Sequence, residues 1–242
     1  MDDSIESLRQ KIEALDQEKR QIISLVSHDI KAPLNRVFAL MQLMRLEESN
    51  LTQEQHDYLD KMHLVVVDGL GLIRNLADYR NLEYKKTELL IEKVNLAQVI
   101  LLAIRSFQSV AAKKKITLQH EVPKTLLLDS DHHCVIRIFE NLVSNAIKFS
   151  REGATVFITV SEKDSKPYFS VQDEGPGFTD DDQKKLYQPF VKLSAQPTAG
   201  ESTTGLGLFI VKKMASRIGA TVRCETEAGK GSVFTVTFEQ RN

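Results

Sequence analysis

The sequence predicts an α+β protein: an N-terminal helical hairpin that forms a dimeric four-helix bundle with a second copy, followed by an α/β sandwich domain. Three observations support this fold class. Residues 4–47 contain no glycine and one proline, which indicates a long helix. A second helical apolar pattern follows after a short polar connection. From Glu88 onward, short apolar strands alternate with helical stretches.

The first helix begins as a coiled coil. Its apolar residues alternate steps of three and four, and after Val26 two successive steps of four indicate a stutter in the register. A helix of this length would measure roughly 65 Å and needs helical neighbours in water. A second copy of the chain is the natural partner. The apolar positions are Ile5, Leu8, Ile12, Leu15, Ile22 and Val26, then Ile30, Leu34, Val37, Met41 and Met44.

The second helix follows a connection at residues 48–52 and ends near Tyr84. Two such hairpins make a four-helix bundle. We therefore expect a coiled-coil helix over residues 1–20, a dimerisation domain over 21–86 and a second domain over 87–242. The apolar face of the second helix consists of Leu59, Met62, Val66, Leu70, Ile73 and Ala77.

The second domain is predicted to place helices on one face of a sheet. Strands are predicted at residues 155–160, 168–172 and 233–238, and helices at 96–114, 132–149 and 208–217. The polar stretch 178–204 shows little apolar periodicity, so we expect a long loop there. Loops of that length are usually functional.

Composition narrows the class of protein. With 242 residues, the chain exceeds the usual size of a single core. The net charge of -1 gives no general attraction for nucleic acid, so no nucleic-acid partner is expected. No stretch approaches the roughly 20 apolar residues of a membrane span. We expect a cytoplasmic location, and an upstream membrane segment in a longer parent protein is compatible with the helical start.

The first helix carries one chemically suggestive group, His28, beside Asp29. Its position two residues from both Val26 and Ile30 predicts that it points away from the coiled-coil seam. A neutral imidazole is a nucleophile, and an adjacent carboxylate can draw off its proton. Pro33 permits a bend in the helix nearby. For this helix by itself, a surface histidine beside a chance aspartate is the simpler explanation.

Two glycine clusters in the second domain favour a nucleotide ligand. Asp173 ends an apolar strand, and Gly175 and Gly177 then permit close backbone approach to a ligand. The run Gly205-Leu206-Gly207-Leu208 opens a helix, whose N-terminal N–H groups suit a polyphosphate. Either cluster by itself is weak, because turns supply such glycines freely.

A pair of asparagines strengthens the nucleotide hypothesis. Asn141 and Asn145 are four residues apart and share one helix face, with Lys148 close behind. Amide oxygens suit Mg²⁺, and a lysine suits phosphate oxygens.

Taken in order, these motifs resemble those of the sensor histidine kinases of two-component systems. The resemblance extends from about residue 16 to residue 238, and six motifs stand in the family's order. They are the histidine box His28–Leu34, the asparagine box Asn141–Ser150, the first glycine box Asp173–Gly177, Pro189-Phe190 of the ATP lid, the second glycine box Gly205–Leu208, and the last glycine turn Gly229–Ser232.

The resemblance implies ATP-dependent phosphorylation of His28, with Asp29 as general base, and relay to an aspartate on the receiver domain of a response regulator. It also implies an ATP-binding domain of the histidine kinase and gyrase type, with a lid at 178–204 and Mg²⁺ held by Asn145 and Asn141. Asp173 would accept a hydrogen bond from the adenine amino group. The implied nucleotide-binding residues are Asn141, Asn145, Lys148, Phe149, Asp173, Gly175, Gly177, Phe190, Thr204, Gly205, Leu206, Gly207 and Leu208.

The sequence departs from the family pattern at a few positions. Ala32 replaces a polar residue that relatives use to dephosphorylate the regulator, which argues against phosphatase activity. Thr203 and Thr204 stand where a glycine is usual, and Phe149 replaces a frequent tyrosine. The alternatives are an ATP-sensing pseudokinase and a gyrase-like ATPase, although the latter class lacks the histidine box and the hairpin. Whether phosphorylation occurs within one chain or across the dimer is left open.

Overall fold

The computed structural model describes residues 2–46, 50–84 and 88–239. The chain divides into two compact units, a helical unit of residues 1–86 and a sheet unit of residues 87–242. The predicted α+β class is confirmed, because a helical hairpin precedes a mixed helix-and-sheet unit. Parts of the predicted connection 48–52 and of the boundary between the predicted domains 21–86 and 87–242 lie outside the described residues.

The helical unit is a hairpin of α1 (Asp2–Leu46) and α2 (Gln53–Tyr84). Its two helices pack through Met41, Leu59 and Val66, which are 2–6% exposed. Helix α2 begins with a reciprocal cap, in which the Gln55 N–H donates to the Thr52 hydroxyl and the Thr52 N–H donates to the Gln55 side chain. Local sequence therefore fixes where α2 starts, and apolar spacing fixes which face it buries.

A second apolar face of the helical unit stays exposed. The predicted seam residues Ile12, Leu15 and Ile22 are 64%, 65% and 54% exposed. The side chains of Ile5, Leu8 and Val26 lie outside the described part of the chain. The exposed face continues along both helices through Ile30, Val37, Leu40, Met44, Tyr58, Met62 and Val65. A single hairpin therefore buries only part of its apolar surface.

The sheet unit contains seven strands and four helices among the described residues. In chain order these are β1 (Ile91–Asn95), α3 (Leu96–Lys113), β2 (Thr117–Glu121), β3 (Leu127–Asp131), α4 (His132–Phe149), β4 (Thr155–Lys163), β5 (Lys166–Asp173), α5 (Asp180–Lys185), α6 (Gly207–Ile218), β6 (Ala220–Glu227) and β7 (Gly231–Phe238).

The main sheet has the strand order β2-β4-β5-β7-β6. Strand β2 runs parallel to β4, and the other neighbouring strands are antiparallel. Strands β1 and β3 form a separate antiparallel pair. Because Asp173 pairs with Ser232 in the β5–β7 register, the end of β5, which leads into the first glycine box, lies beside the start of β7, which follows the last glycine turn.

Helices α3, α4 and α6 pack against the main sheet. Phe139 of α4 meets Phe169 of β5 edge to face at 5.6 Å, and both side chains are fully buried. Phe238 of β7 extends this aromatic contact, with its ring centroid 6.0 Å from that of Phe169. The sheet unit thus has a core of its own.

Helix α3 corrects the expectation that no segment has the composition of a membrane span. It is 18 residues long with a mean hydropathy of 1.2, so by length and composition it could cross a membrane. It also buries seven residues within the sheet unit, including Leu96, Ile100 and Ile104. The same composition is therefore used here to form a core helix.

The predicted helices and strands all occur, but the prediction was incomplete. It missed β1, β2, β3 and β6. Much of each of these strands is exposed and carries polar residues, so the apolar pattern of a buried strand is weak there. It also missed α5, so the expectation of an uninterrupted loop over 178–204 is wrong at residues 180–185. A capping box between Thr179 and Asp182 stabilises that helix without an apolar face.

Candidate active site

Helix α4 carries the asparagine box, and one carboxylate fixes where the helix begins. Asp131 accepts a hydrogen bond from the N–H of Cys134 (2.9 Å) through one oxygen and from the N–H of Leu90 (3.0 Å) through the other. Burial acts to raise the pKa of Asp131, but these hydrogen bonds outweigh it and lower the pKa. The first turn of α4 is thereby tied to the start of β1.

The two asparagines of α4 face the beginning of α6. Asn141 is 7% exposed and donates from Nδ2 to the carbonyl of Arg137 at 2.8 Å, which orients its side chain. A Cβ added at Gly207 would lie 3.2 Å from Oδ1 of Asn141 and 3.6 Å from Nδ2 of Asn145. The structure therefore brings both predicted asparagines next to the second glycine box.

The N-terminus of α6 has the features of a phosphate site. Leu206 is its N-cap, and no side chain in the described part of the chain caps the helix. The first N–H groups and the helix dipole consequently remain available to an anion. Leu206 is fully buried and anchors the turn, whereas Gly207 and Leu208 are partly exposed.

Asp173 is held at the end of β5 by two hydrogen bonds. Its Oδ1 accepts from the N–H of Gly175 (2.8 Å) and its Oδ2 from the hydroxyl of Ser232 (2.7 Å). Burial raises the pKa of Asp173, although these hydrogen bonds act to lower it. Each carboxylate oxygen has a second acceptor position, so Asp173 can still accept a hydrogen bond from a ligand amino group.

Two glycines of the site occupy conformations that only glycine adopts easily. Gly177 has φ +64°, and an added Cβ would lie 2.3 Å from the carbonyl oxygen of Glu227. Gly205 has φ +67°, and an added Cβ would lie 2.6 Å from the carbonyl oxygen of Val191. Any side chain at either position would displace backbone.

The lid motif and the second glycine box are hydrogen-bonded to each other. Phe190 donates its N–H to the carbonyl of Gly205 at 3.0 Å, and its ring is 48% exposed. Phe190 also has a positive φ of 63°, an unusual conformation for a large side chain. Thr204 accepts the N–H of Leu206 at 3.2 Å, so this threonine stabilises the turn in which relatives usually have glycine.

The remaining sheet-unit candidates lie on or near the last turns of α4. Lys148 is half-buried and donates to the carbonyl of Ser202 in the lid at 3.0 Å. The carbonyl oxygen of Phe149 would lie 3.3 Å from a Cβ on Gly175, which places the asparagine box against the first glycine box. Glu140 of the same helix forms an ion pair with Arg137 at 2.7 Å.

The predicted phosphoacceptor lies in the other unit. His28 is part of α1, but its side chain lies outside the described residues, so its predicted direction stays a prediction. Asp29 and Ala32 are exposed, and α1 continues through Pro33. The predicted acceptor and the predicted nucleotide residues thus fall on separate units.

Sequence reasoning missed Ser232 and Lys114 as parts of this region. Ser232 ends the last glycine turn and bonds Asp173, a role that the turn motif indicates only once β5 and β7 are known to pair. Lys114 donates to the last carbonyls of α4, and no sequence motif points to it. Both act through contacts between segments distant in sequence.

The donor set fits a nucleotide with Mg²⁺. Asn141 and Asn145 offer amide oxygens, a ligand type that Mg²⁺ accepts, beside helix N–H groups suited to phosphate. In the described residues, no group of three or more His, Cys, Asp or Glu side chains could hold a metal. A magnesium ion bound to asparagine and phosphate oxygens requires no such group. Together with the sandwich fold, these features favour a nucleotide-binding domain.

Comparison with known proteins agrees with that class. Residues 130–242 match the family described as histidine kinase-, DNA gyrase B-, and HSP90-like ATPase. The chain is 28% identical over 227 residues to the circadian input-output histidine kinase CikA of Synechococcus elongatus, covering 92% of this chain. It is 28% identical over 235 residues to the aerobic respiration control sensor protein ArcB of Escherichia coli K12, covering 94% of this chain.

A solved structure is similar over both units. The crystal structure of full-length ShkA in complex with AMPPNP has a TM-score of 0.65 and 27% identity, covering 90% of this chain and 45% of that one. These matches support a sensor histidine kinase catalytic core, in which residues 130–242 form the ATPase-family domain. The chain spans only 30% of the length of CikA and 29% of that of ArcB.

Proposed function

We propose that the chain catalyses ATP-dependent phosphorylation of His28 and passes the phosphoryl group to an aspartate on a response regulator. The observation that carries the proposal is the convergence of Asn141, Asn145 and the uncapped start of α6 in one unit. Matches to sensor histidine kinases over more than nine-tenths of the chain support it. The same matches favour a homodimer and a cytoplasmic location for the core.

The sheet unit would bind and orient the nucleotide. Asp173 would accept a hydrogen bond from the adenine amino group, while Asn145, assisted by Asn141, would hold Mg²⁺ on the phosphates. The first N–H groups of α6 and the ammonium of Lys148 would bind phosphate oxygens. Bound ATP with Mg²⁺ supplies the transferable γ-phosphoryl group. Positioning and charge neutralisation provide most of the acceleration in such a transfer.

The helical unit would supply the nucleophile. A ring nitrogen of His28 would form a bond to the γ-phosphorus while the bond to the β,γ-bridging oxygen breaks and ADP leaves. Asp29 would accept the proton that the imidazole loses. Because His28 and the nucleotide residues lie on separate units, the residues around 84–88 would have to let one unit approach the other.

The decisive experiment is labelling with γ-labelled ATP and Mg²⁺. Acid-labile, alkali-stable label should appear on the wild type and on His56→Ala and His120→Ala. It should be absent from His28→Ala. His56 is a matched control in the same hairpin, and His120 is an exposed control in the sheet unit. Label that persists in His28→Ala would refute His28 as acceptor.

A second variant tests the proposed metal ligand, and labelling of the wild type separates the kinase from an ATP-sensing pseudokinase. Asn145→Ala should weaken binding of ATP in the presence of Mg²⁺ much more than binding of ADP with a chelator, because it removes a proposed metal ligand. Titration calorimetry measures both affinities. Wild type that binds Mg²⁺-ATP tightly but never acquires label would favour the pseudokinase.

A further inference from the structure

The end of the lid is fastened to the last turn of α4. We call residues 198–202 the lid anchor. Thr198 donates its N–H to the carbonyl of Lys148 at 3.1 Å and its hydroxyl to the carbonyl of Ser150 at 2.7 Å. The last carbonyls of a helix lack partners within the helix and are therefore ready acceptors.

Lys114 joins the lid anchor to the same helix end. This residue follows α3, and its ammonium donates to the carbonyls of Ile147 at 2.8 Å and Lys148 at 2.7 Å. It also donates to Oε1 of Glu201, in the lid anchor, at 2.9 Å. An ammonium has three protons, so these three bonds use all of them. Lys114 thus connects three segments that are distant in sequence.

The Lys114–Glu201 pair is shielded from solvent. The two side chains are 12% and 23% exposed, so water and salt screen this pair less than a surface pair. The second oxygen of Glu201 accepts the N–H of Ala199 at 2.9 Å, which shapes the turn of the lid anchor. The pair is therefore a geometrically fixed contact.

We propose that Lys114 is a positioning residue that holds the lid anchor through Glu201 and thereby slows release of bound nucleotide. The first half of this proposal concerns the lid by itself, and the second half rests on the proposed function. Lys148, the proposed phosphate ligand, donates to the carbonyl of Ser202 in the lid anchor. Gly205 and the start of α6 follow Glu201 within a few residues. Loss of the Lys114–Glu201 contact would therefore make the segment just before the proposed phosphate site more mobile.

The variant that tests the contact is Glu201→Gln, which removes the charge and keeps the shape. Hydrogen–deuterium exchange of peptides covering residues 194–204, without nucleotide, should become about tenfold faster, as expected for loss of a charge-assisted hydrogen bond. Stopped-flow release of N-methylanthraniloyl-ADP should accelerate in parallel. If hydrogen exchange of the lid becomes faster in Glu201→Gln but release of the labelled ADP does not, the proposed effect on nucleotide release is refuted.

The adjacent ion pair provides a matched control. Lys115 pairs with Glu152 at 2.5 Å, but these side chains are 74% and 64% exposed. Glu152→Gln should leave lid exchange within about twofold of wild type, as expected for an exposed pair. Lid exchange in Glu201→Gln that stays within about twofold of wild type, or an equal acceleration in Glu152→Gln, would overturn the proposal.

A conservative variant of the lysine tests whether charge at this position is sufficient. Lys114→Arg keeps the positive charge and should retain most of the slow exchange, whereas Lys114→Met should match or exceed Glu201→Gln. Lid exchange that is equally fast in Lys114→Arg and Lys114→Met would count against the proposal. Because exchange is measured without nucleotide, failure of the labelling experiment with His28 leaves this test intact. The two proposals therefore fail separately.

Discussion

The helical unit and the sheet unit differ in how they bury their apolar side chains. The hairpin leaves an apolar face open, with Leu15 and Val65 at 65% and 73% exposed. The sheet unit buries Phe139 and Phe169 completely within its own core. An open apolar face of this kind is typical of a surface that another molecule covers. We therefore predict that a partner covers this face of the helical unit, whereas the sheet unit has a core of its own.

The largest expected effect tests the core of the sheet unit. Phe169→Ala should lower the free energy of unfolding of this unit by about 3–5 kcal/mol, because it removes a fully buried ring and leaves a cavity. Chemical denaturation of the whole chain, followed by far-UV circular dichroism, measures the change. The transition of the helical unit should not move. If both unfolding transitions shift together, the two units do not unfold independently, and the prediction is wrong.

The next effect tests the open face of the hairpin. Leu40 is 61% exposed, and Leu40→Glu should weaken self-association about 100-fold, because a charge would be buried at the interface. Sedimentation equilibrium measures the association. Leu102→Glu is the matched control, since Leu102 is 57% exposed but lies in the sheet unit. Equal loss of association in both variants would contradict assignment of the interface to the hairpin.

A third effect tests whether nucleotide binding belongs to the sheet unit. Asp173→Asn should weaken ATP binding about 10-fold to 100-fold through loss of a charged acceptor, while leaving self-association unchanged. Titration calorimetry measures the affinity. Asp129→Asn, which alters a more exposed carboxylate, should bind normally. Normal ATP affinity in Asp173→Asn would remove this residue from the site.

The same carboxylate gives a pH dependence. Burial raises the pKa of Asp173, so its proton binds more tightly in the folded state than in the unfolded state. Its ionisation therefore opposes folding as the pH rises through the folded pKa. When the solution is acidified, Asp173 therefore takes up its proton at a higher pH than an ordinary aspartate, whose pKa is about 3.9. Wild-type ATP affinity should decline with acidification at a higher pH than an ordinary aspartate would cause, and this decline should be absent from Asp173→Asn.

The smallest expected effect concerns the lid. Hydrogen bonds from Ser194 and Thr179 lower the pKa of Asp182 to about 2, against the opposing effect of burial. The ionised Asp182 carboxylate stabilises the folded state fully at pH values above the pKa that it has in the unfolded chain. This stabilisation is lost as the pH falls toward 2. Asp182→Asn should cost about 1 kcal/mol of local stability at neutral pH. Hydrogen exchange over residues 179–194 measures this cost, and Asp181→Asn, on an exposed side chain, is the control.

Apolar periodicity was sufficient to predict the long helices. Helix α2 ends at Tyr84 as predicted, and α4 has the predicted bounds of residues 132 and 149. Strands β4, β5 and β7 were predictable because buried apolar residues recur at every second position along most of each strand. Strand β2 was not, because four of its five residues are exposed and its pairing depends on distant β4. Strand order in the sheet could not be read from local sequence.

The site was predictable where chemistry is encoded in short motifs. Asn141, Asn145 and the second glycine box were found from their spacing, and the structure brings these three together at the start of α6. The first glycine box lies against the end of α4, at Phe149. Ser232 was not found, because its contact with Asp173 depends on the register of two strands. Lys114 and Glu201 are 87 residues apart, and only the packing of the lid on α4 brings them together. Residues of this kind carry no local signal.

The double role of Asp131 has a mechanical consequence. Its carboxylate holds both the N–H of Leu90, a few residues into the sheet unit, and the first turn of α4. Tension applied to the backbone ahead of Leu90 is therefore expected to reach the helix of Asn141 and Asn145 through this side chain and the adjoining β1–β3 ladder, bypassing about forty residues of intervening polypeptide.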